Sequence, residues 1–208
     1  MSFPAARDNM VDSQVRTNDV TDAHLQAAMR TLPREDFCGG DAELAYAERE
    51  TRICEGRWLL TPRDVGKLLQ ALDPQPGETA LVIAEPYAAA ILARAGLEVT
   101  TVDTPGALAI AGEALAREGV SVAMGELGVP AGSETYDIVL GGGAVSAAPK
   151  AWLDRLKTGG RAGVVIRSGA PGRVWIYLRS PEGVSGRPVF ESTPPWLPGL
   201  EPKPAFVF

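Results

Sequence analysis

From position 77 onward, short apolar runs alternate with longer stretches in which apolar residues recur every three or four positions. The runs at 80–84, 98–103, 121–124, 137–140 and 162–166 have the length and β-branched content of buried strands. Between them, 87–95, 107–118 and 149–156 predict helices, with Leu108, Ala111 and Leu115 keeping a 3.6-residue period. Strands that alternate with helices in this way predict a doubly wound, mostly parallel α/β sheet covered on both faces, which binds ligands at the carboxyl ends of its strands. Ahead of this core, Asp22 opens a helical pattern carrying Leu25, Ala28, Met29 and Leu32 and stopped by Pro33. Thr61-Pro62, an N-cap followed by a proline, opens another that carries Val65, Leu68, Leu69 and Leu72 and ends at Asp73-Pro74. The polar stretch 38–60 predicts an irregular crossing of the surface. Beyond Gly169-Ala170-Pro171-Gly172, alternation over 173–179 and short apolar runs at 189–191 and 205–208 predict a C-terminal antiparallel hairpin that finishes the sheet. Trp196 and Leu197, set among prolines, are expected to anchor their loop on the core. The expected organisation is a helical segment, 1–76, packed on a core, 77–208, as one compact domain.

Charge and composition narrow the function classes. Of 208 residues, 45% are hydrophobic and 22% charged, with a net charge of −6 and no basic run, which argues against nucleic-acid or membrane-surface binding. No apolar stretch approaches the roughly 20 residues of a membrane span, and the expected location is cytoplasmic. Two cysteines, Cys38 and Cys54, and one histidine, His24, are too few for a zinc site, so free buried thiols and a solvated histidine are expected. A single histidine also removes most triad chemistry, and no catalytic residue or metal ligand is assigned.

The turn after the first core strand, within 81–93, contains no glycine. Close approach of a backbone to a nucleotide needs residues without a Cβ, and anion binding at a helix start needs free N–H groups. Ala84-Glu85-Pro86 offers a carboxylate and a proline instead. As structure the sequence is coherent, because proline suits the first helical position and a carboxylate before it complements the helix dipole. Asp103, ending the second strand, stands where nucleotide binders place an acid for ribose hydroxyls, or else is a helix N-terminal acid before Pro105. Gly141-Gly142-Gly143 predicts a flexible turn at the end of the fourth strand, and no Lys-Ser/Thr follows as a phosphate loop would require. The dinucleotide glycine fingerprint of a dehydrogenase is missing too.

Several stretches resemble one family. Gln14-Val15-Arg16, Asp22, Leu25, Ala28-Met29, Pro33-Arg34-Glu35-Asp36-Phe37 and Ala45-Tyr46 are similar to the N-terminal region of protein-L-isoaspartate O-methyltransferases. Tyr136-Asp137-Ile138-Val139 and the run from Leu153 to Arg161 look like that family's fourth strand and its Gln-Leu-Lys-x-Gly-Gly-Arg turn. The resemblance implies a class I methyltransferase (Rossmann-like) fold, S-adenosylmethionine as cofactor, and isoaspartyl residues of damaged proteins or peptides as substrate. It places Ala84, Glu85, Tyr87, Asp103 and Glu126 at cofactor-binding positions, with Glu126 near the adenine amino group. It places Arg57, Trp58 and Leu60 in the substrate loop. Two departures stand out. The family's glycine-rich turn is replaced by Ala84-Glu85-Pro86, and the hydroxyls of its Gly-Gln-Thr-Ile-Ser loop are replaced by Trp58 and Leu60 within Gly56-Arg57-Trp58-Leu59-Leu60. Arg57 is expected to form a surface salt bridge. Methyl transfer from a sulfonium to a carboxylate needs positioning and desolvation rather than a metal, so activity would rest on the shape of the altered pocket. The expectation is a member with weak or lost activity, a possible pseudoenzyme. The alternative is a non-catalytic interaction module presenting Trp58, Leu59 and Leu60 to a partner, which requires those side chains to be exposed.

Overall fold

The computed structural model describes residues 2–40, 42–123, 125–169 and 171–202. Helix α1 (Phe3–Met10) passes into a π-helical turn at Val11–Val15. Helix α2 (Ala23–Thr31) begins where Asp22 Oδ1 accepts the amides of His24 at 2.8 Å and Leu25 at 3.0 Å, and it buries Leu25, Ala28 and Met29. Strands β1 (Thr51–Cys54) and β2 (Arg57–Leu59) pair as an antiparallel hairpin. Helix α3 (Pro62–Leu72) is capped by Thr61 Oγ1, which accepts from Asp64 N at 3.1 Å, and closes on Asp73 in a left-handed conformation.

The core follows as β3 (Thr79–Ile83), α4 (Pro86–Arg94), β4 (Glu98–Val102), α5 (Pro105–Arg117) and β5 (Ser121–Ala123). The two-residue strands β6 (Gly125–Glu126) and β7 (Val129–Pro130) lead to β8 (Tyr136–Val145), α6 (Lys150–Leu153), β9 (Leu156–Ile166), β10 (Arg173–Ser180) and β11 (Gly183–Glu191). The seven-stranded sheet has the order β11-β10-β9-β8-β3-β4-β5. It is parallel from β9 to β5, and β10 and β11 add an antiparallel hairpin at one edge.

Period-two alternation explains the unbroken apolar runs. Ala80, Val82, Ile138 and Leu140 face a core shared with α3, α4, α5 and the N-terminal segment, whereas Leu81, Ile83, Val139 and Val164 face a second core with Trp152 and Leu197. The order in which strands are added to the sheet reverses between β3 and β8, so the strand tips Ala84 and Asp103 border the switch-point crevice.

Three expectations need correction. Gly141, Gly142 and Gly143 form no turn; they lie inside β8, where a Cβ would overlap the Trp152 ring, the Ala84 carbonyl and the Leu197 side chain respectively. Their lack of side chains serves packing. The helix expected over 149–156 is shorter, because Leu156 already belongs to β9. The stretch 38–60 is more ordered than its polarity suggests: Ile53, Leu59 and Leu60 are buried, and the β1–β2 hairpin runs through it. The loop anchor is as expected, with Leu197 buried and Trp196 under the Arg167 guanidinium. Residues 205–208, a strand expectation, lie outside the described residues, as does Met124.

Candidate functional site

At the tips of β3 and β4 the chain buries charge. Arg57, Glu85 and Asp103 are 1%, 0% and 3% exposed. Arg57 reaches from β2 to grip Asp103 with two parallel hydrogen bonds, Nε to Oδ1 at 2.7 Å and Nη2 to Oδ2 at 2.9 Å. Its Nη2 also donates to the Ala84 carbonyl. The expectation of a surface salt bridge for Arg57 is therefore wrong: the hairpin carries the guanidinium inward, where a bidentate pair is favoured over an exposed one. Asp103 Oδ1 additionally accepts from Thr104 N at 2.7 Å, directly before α5.

The backbone of the turn keeps a glycine-like shape without glycine. Ala84 has φ +63°, the left-handed region that glycine adopts without a Cβ penalty. Pro86 takes the first position of α4 as expected, and Glu85 occupies the N-cap, yet its carboxylate makes no capping bond. Instead Oε2 accepts from Leu60 N at 2.9 Å, tying the turn to the segment that follows β2. Burial pushes the Glu85 carboxyl up to about 7, against the opposing pull of Arg34, the Leu60 amide and Arg57.

Tyr87 is fully buried, edge-on to Phe37 at 5.6 Å between ring centroids, with the Arg34 guanidinium 4.7 Å from its ring centre. Burial raises its hydroxyl above the ordinary tyrosine range. Arg34 itself donates from Nε to Ala45 O at 2.8 Å and from Nη2 to Leu60 O at 2.5 Å. Sequence reasoning met Arg34 only as part of the Pro-Arg-Glu-x-Phe element. Its signal as a buried cation was the apolar setting of Leu32, Phe37 and Cys38 around it, all of them buried.

The sequence-derived positions thus separate. Ala84, Glu85, Asp103 and Arg57 come together; Tyr87 lies deeper beside Arg34. Glu126 is exposed on β6 and, among the described residues, makes no side-chain hydrogen bond or ion pair. Leu59 and Leu60 are buried and Trp58 is half-buried, which removes the exposed apolar patch that an interaction module at this loop requires. His24 is exposed, Cys38 is buried and Cys54 half-buried, both free. Among the described residues no helix is long and apolar enough to cross a membrane.

A five-strand parallel core, its reversal of strand order between β3 and β8, acid-bearing tips and an antiparallel edge hairpin define a class I, Rossmann-like methyltransferase fold. Residues 5–173 match the family description Protein-L-isoaspartate(D-aspartate) O-methyltransferase, and the chain belongs to that family of S-adenosylmethionine-dependent enzymes. A protein-L-isoaspartate O-methyltransferase of Methylorubrum populi is 35% identical over 194 residues, covering 88% of this chain and 90% of the relative. One from Aeropyrum pernix is 33% identical over 196 residues, covering 87% and 74%. Among solved structures, a chain assigned to the same enzymes from Plasmodium falciparum, in complex with S-adenosyl-L-homocysteine, superposes with a TM-score of 0.79 at 13% identity. It covers 92% of this chain and 97% of its own.

Proposed function

We propose that this chain is a non-catalytic member of its family: it retains the scaffold but neither binds S-adenosylmethionine in the family's manner nor methylates isoaspartyl carboxylates. The Arg57–Asp103 pair carries the reading. S-adenosylmethionine presents ribose hydroxyls that need a free acceptor at the tip of the second core strand, and here both carboxylate oxygens of Asp103 are engaged by one guanidinium. The Ala84 carbonyl is engaged by the same group, and the Ala84-Glu85 turn lies so close to Gly142 that a Cβ there would overlap it.

Charge points the same way. The start of α4 lacks the N–H that Pro86 cannot supply, and the buried carboxyl of Glu85 stands where the cofactor's own carboxylate would approach. These residues do not fit S-adenosylmethionine. The test is methyl transfer from labelled S-adenosylmethionine to an isoaspartyl peptide. Incorporation no greater than in a protein-free control is expected, and sustained turnover would overturn the proposal.

A further inference from the structure

Among the described residues, five buried side-chain polar atoms make no hydrogen bond to another protein group: Gln14 Oε1, Arg34 Nη1, Glu85 Oε1, Tyr87 Oη and Arg179 Nε. Three of them, on Arg34, Glu85 and Tyr87, belong to fully buried side chains, and two of those side chains, Arg34 and Glu85, bond the backbone of one residue, Leu60. Arg34 holds the Leu60 carbonyl and Glu85 holds the Leu60 amide, so guanidinium and carboxylate are fixed side by side on one stretch of backbone. Tyr87, two residues beyond Glu85, lies under the same guanidinium. Arg34 is the foremost charge acting on both Glu85 and Tyr87. Buried polar groups are costly to leave unpaired, and a guanidinium and a carboxyl group held on one residue's backbone, with the Tyr87 ring under the same guanidinium, are placed to share a partner.

The donor and acceptor inventory selects that partner. Arg34 Nη1 can only donate, Tyr87 Oη can do either, and Glu85 Oε1 accepts when ionised and can donate when protonated. A small anion would face the Glu85 carboxylate, and a metal cation would face the Arg34 guanidinium. Water suits all three atoms in either state of Glu85, and it meets the usual requirement of two to four polar partners. We infer that Arg34, Glu85 and Tyr87 enclose a buried hydration site holding at least one ordered water that bridges the guanidinium to the carboxyl group.

Tyr46 acts electrostatically on Tyr87, hydrogen-bonds Arg7 at 3.1 Å and Glu35, and borders an open cavity of about 700 Å³ with Phe3 and Ala6. Gln14, in the π-helical turn, donates to the Tyr46 carbonyl at 2.8 Å, and its own buried Oε1 is unpaired. The water therefore links Arg34 and Glu85 as a solvent-separated pair. The inference stands apart from the proposed loss of cofactor binding, since a chain that did bind S-adenosylmethionine could hold the same water.

A high-resolution crystal structure of the full wild-type chain tests it. Expected is a water peak within hydrogen-bond distance of at least two of Arg34 Nη1, Glu85 Oε1 and Tyr87 Oη. Direct contact between Arg34 and Glu85 with no density between them, or a non-water species at the peak, would overturn it. Oxygen-17 relaxation dispersion, which counts long-lived internal waters, gives a second readout: Glu85→Leu is expected to lose at least one relative to wild type while Tyr87→Phe retains it. An unchanged count in a folded Glu85→Leu protein counts against the site.

Discussion

The two ends of the central strands carry carboxylates in opposite states. At the amino ends, Asp137 accepts from Thr79 N at 2.9 Å, Thr79 Oγ1 at 2.8 Å and Lys157 Nζ at 2.7 Å. Burial works to raise its carboxyl, but the donors from Lys157 and Thr79 prevail and hold it down at about 2. Beside it Arg161 pairs with Glu78 and takes the carbonyls of Leu72 and Asp73 at the end of α3. At the carboxyl ends, burial dominates: Glu85 is pushed up to about 7, and Asp103 is enclosed with Arg57. The amino end matches the family's Lys-x-Gly-Gly-Arg pattern and fastens the scaffold with partly solvated charges. The carboxyl end departs from the pattern, and its charges are buried away from bulk solvent, Asp103 against Arg57. A buried pair of that kind adds little net stability but makes each partner dependent on the other.

That difference is broken most severely at Arg57. Arg57→Leu leaves Asp103 buried and unpaired, and urea denaturation at neutral pH should register a loss of about 3–5 kcal/mol. Adding Asp103→Leu should recover most of it; a double variant showing the sum of the two single losses would mean that the residues do not act as a pair.

The next effect lies at Glu85, and its sign follows from a carboxyl raised from 4.5 to about 7. The folded state binds the proton more tightly than the unfolded state, so the wild type loses stability as pH rises from the unfolded value through the folded one. Glu85→Gln keeps an acceptor for Leu60 N and does not ionise. Its advantage over wild type should grow from near zero at about pH 3.5, below the unfolded value, to about 3 kcal/mol at about pH 8.5. A difference independent of pH would contradict the burial of an ionisable group facing Arg34, Arg57 and Asp103.

Asp137 should give the opposite slope. Its depressed carboxyl contributes stability that is present above the unfolded value of 3.8 and lost as pH falls towards about 2. Discounted for partial exposure, Asp137→Asn should cost about 1–2 kcal/mol near neutral pH, with the gap to wild type closing in acid denaturation near pH 2. Glu126→Ala should change stability by less than about 0.5 kcal/mol by the same urea measurement, because that side chain stands outside both charge clusters.

Periodicity and caps made the scaffold legible. The apolar runs became β3, β4, β5, β8 and β9, and Asp22 and Thr61 cap α2 and α3 as their side-chain chemistry requires. Glycines misled where their purpose was contact rather than turning: Gly141, Gly142 and Gly143 read as a flexible turn because close packing against Trp152, Ala84 and Leu197 leaves no local signal. The altered turn at Ala84-Glu85-Pro86 was visible as missing glycine, and Asp103 as an acid at a strand tip. What fills the space between them was not. Arg57 sits in a run of mixed charge and looks solvated until the β1–β2 hairpin brings it to a partner 46 positions away, a pairing that no local pattern encodes.

Isothermal titration calorimetry of the full wild-type chain with S-adenosylmethionine at neutral pH tests the central claim most directly. With Arg57 engaging Asp103 and Ala84, no saturable heat of binding is predicted up to high-micromolar cofactor. A one-to-one isotherm with sub-micromolar affinity would contradict it.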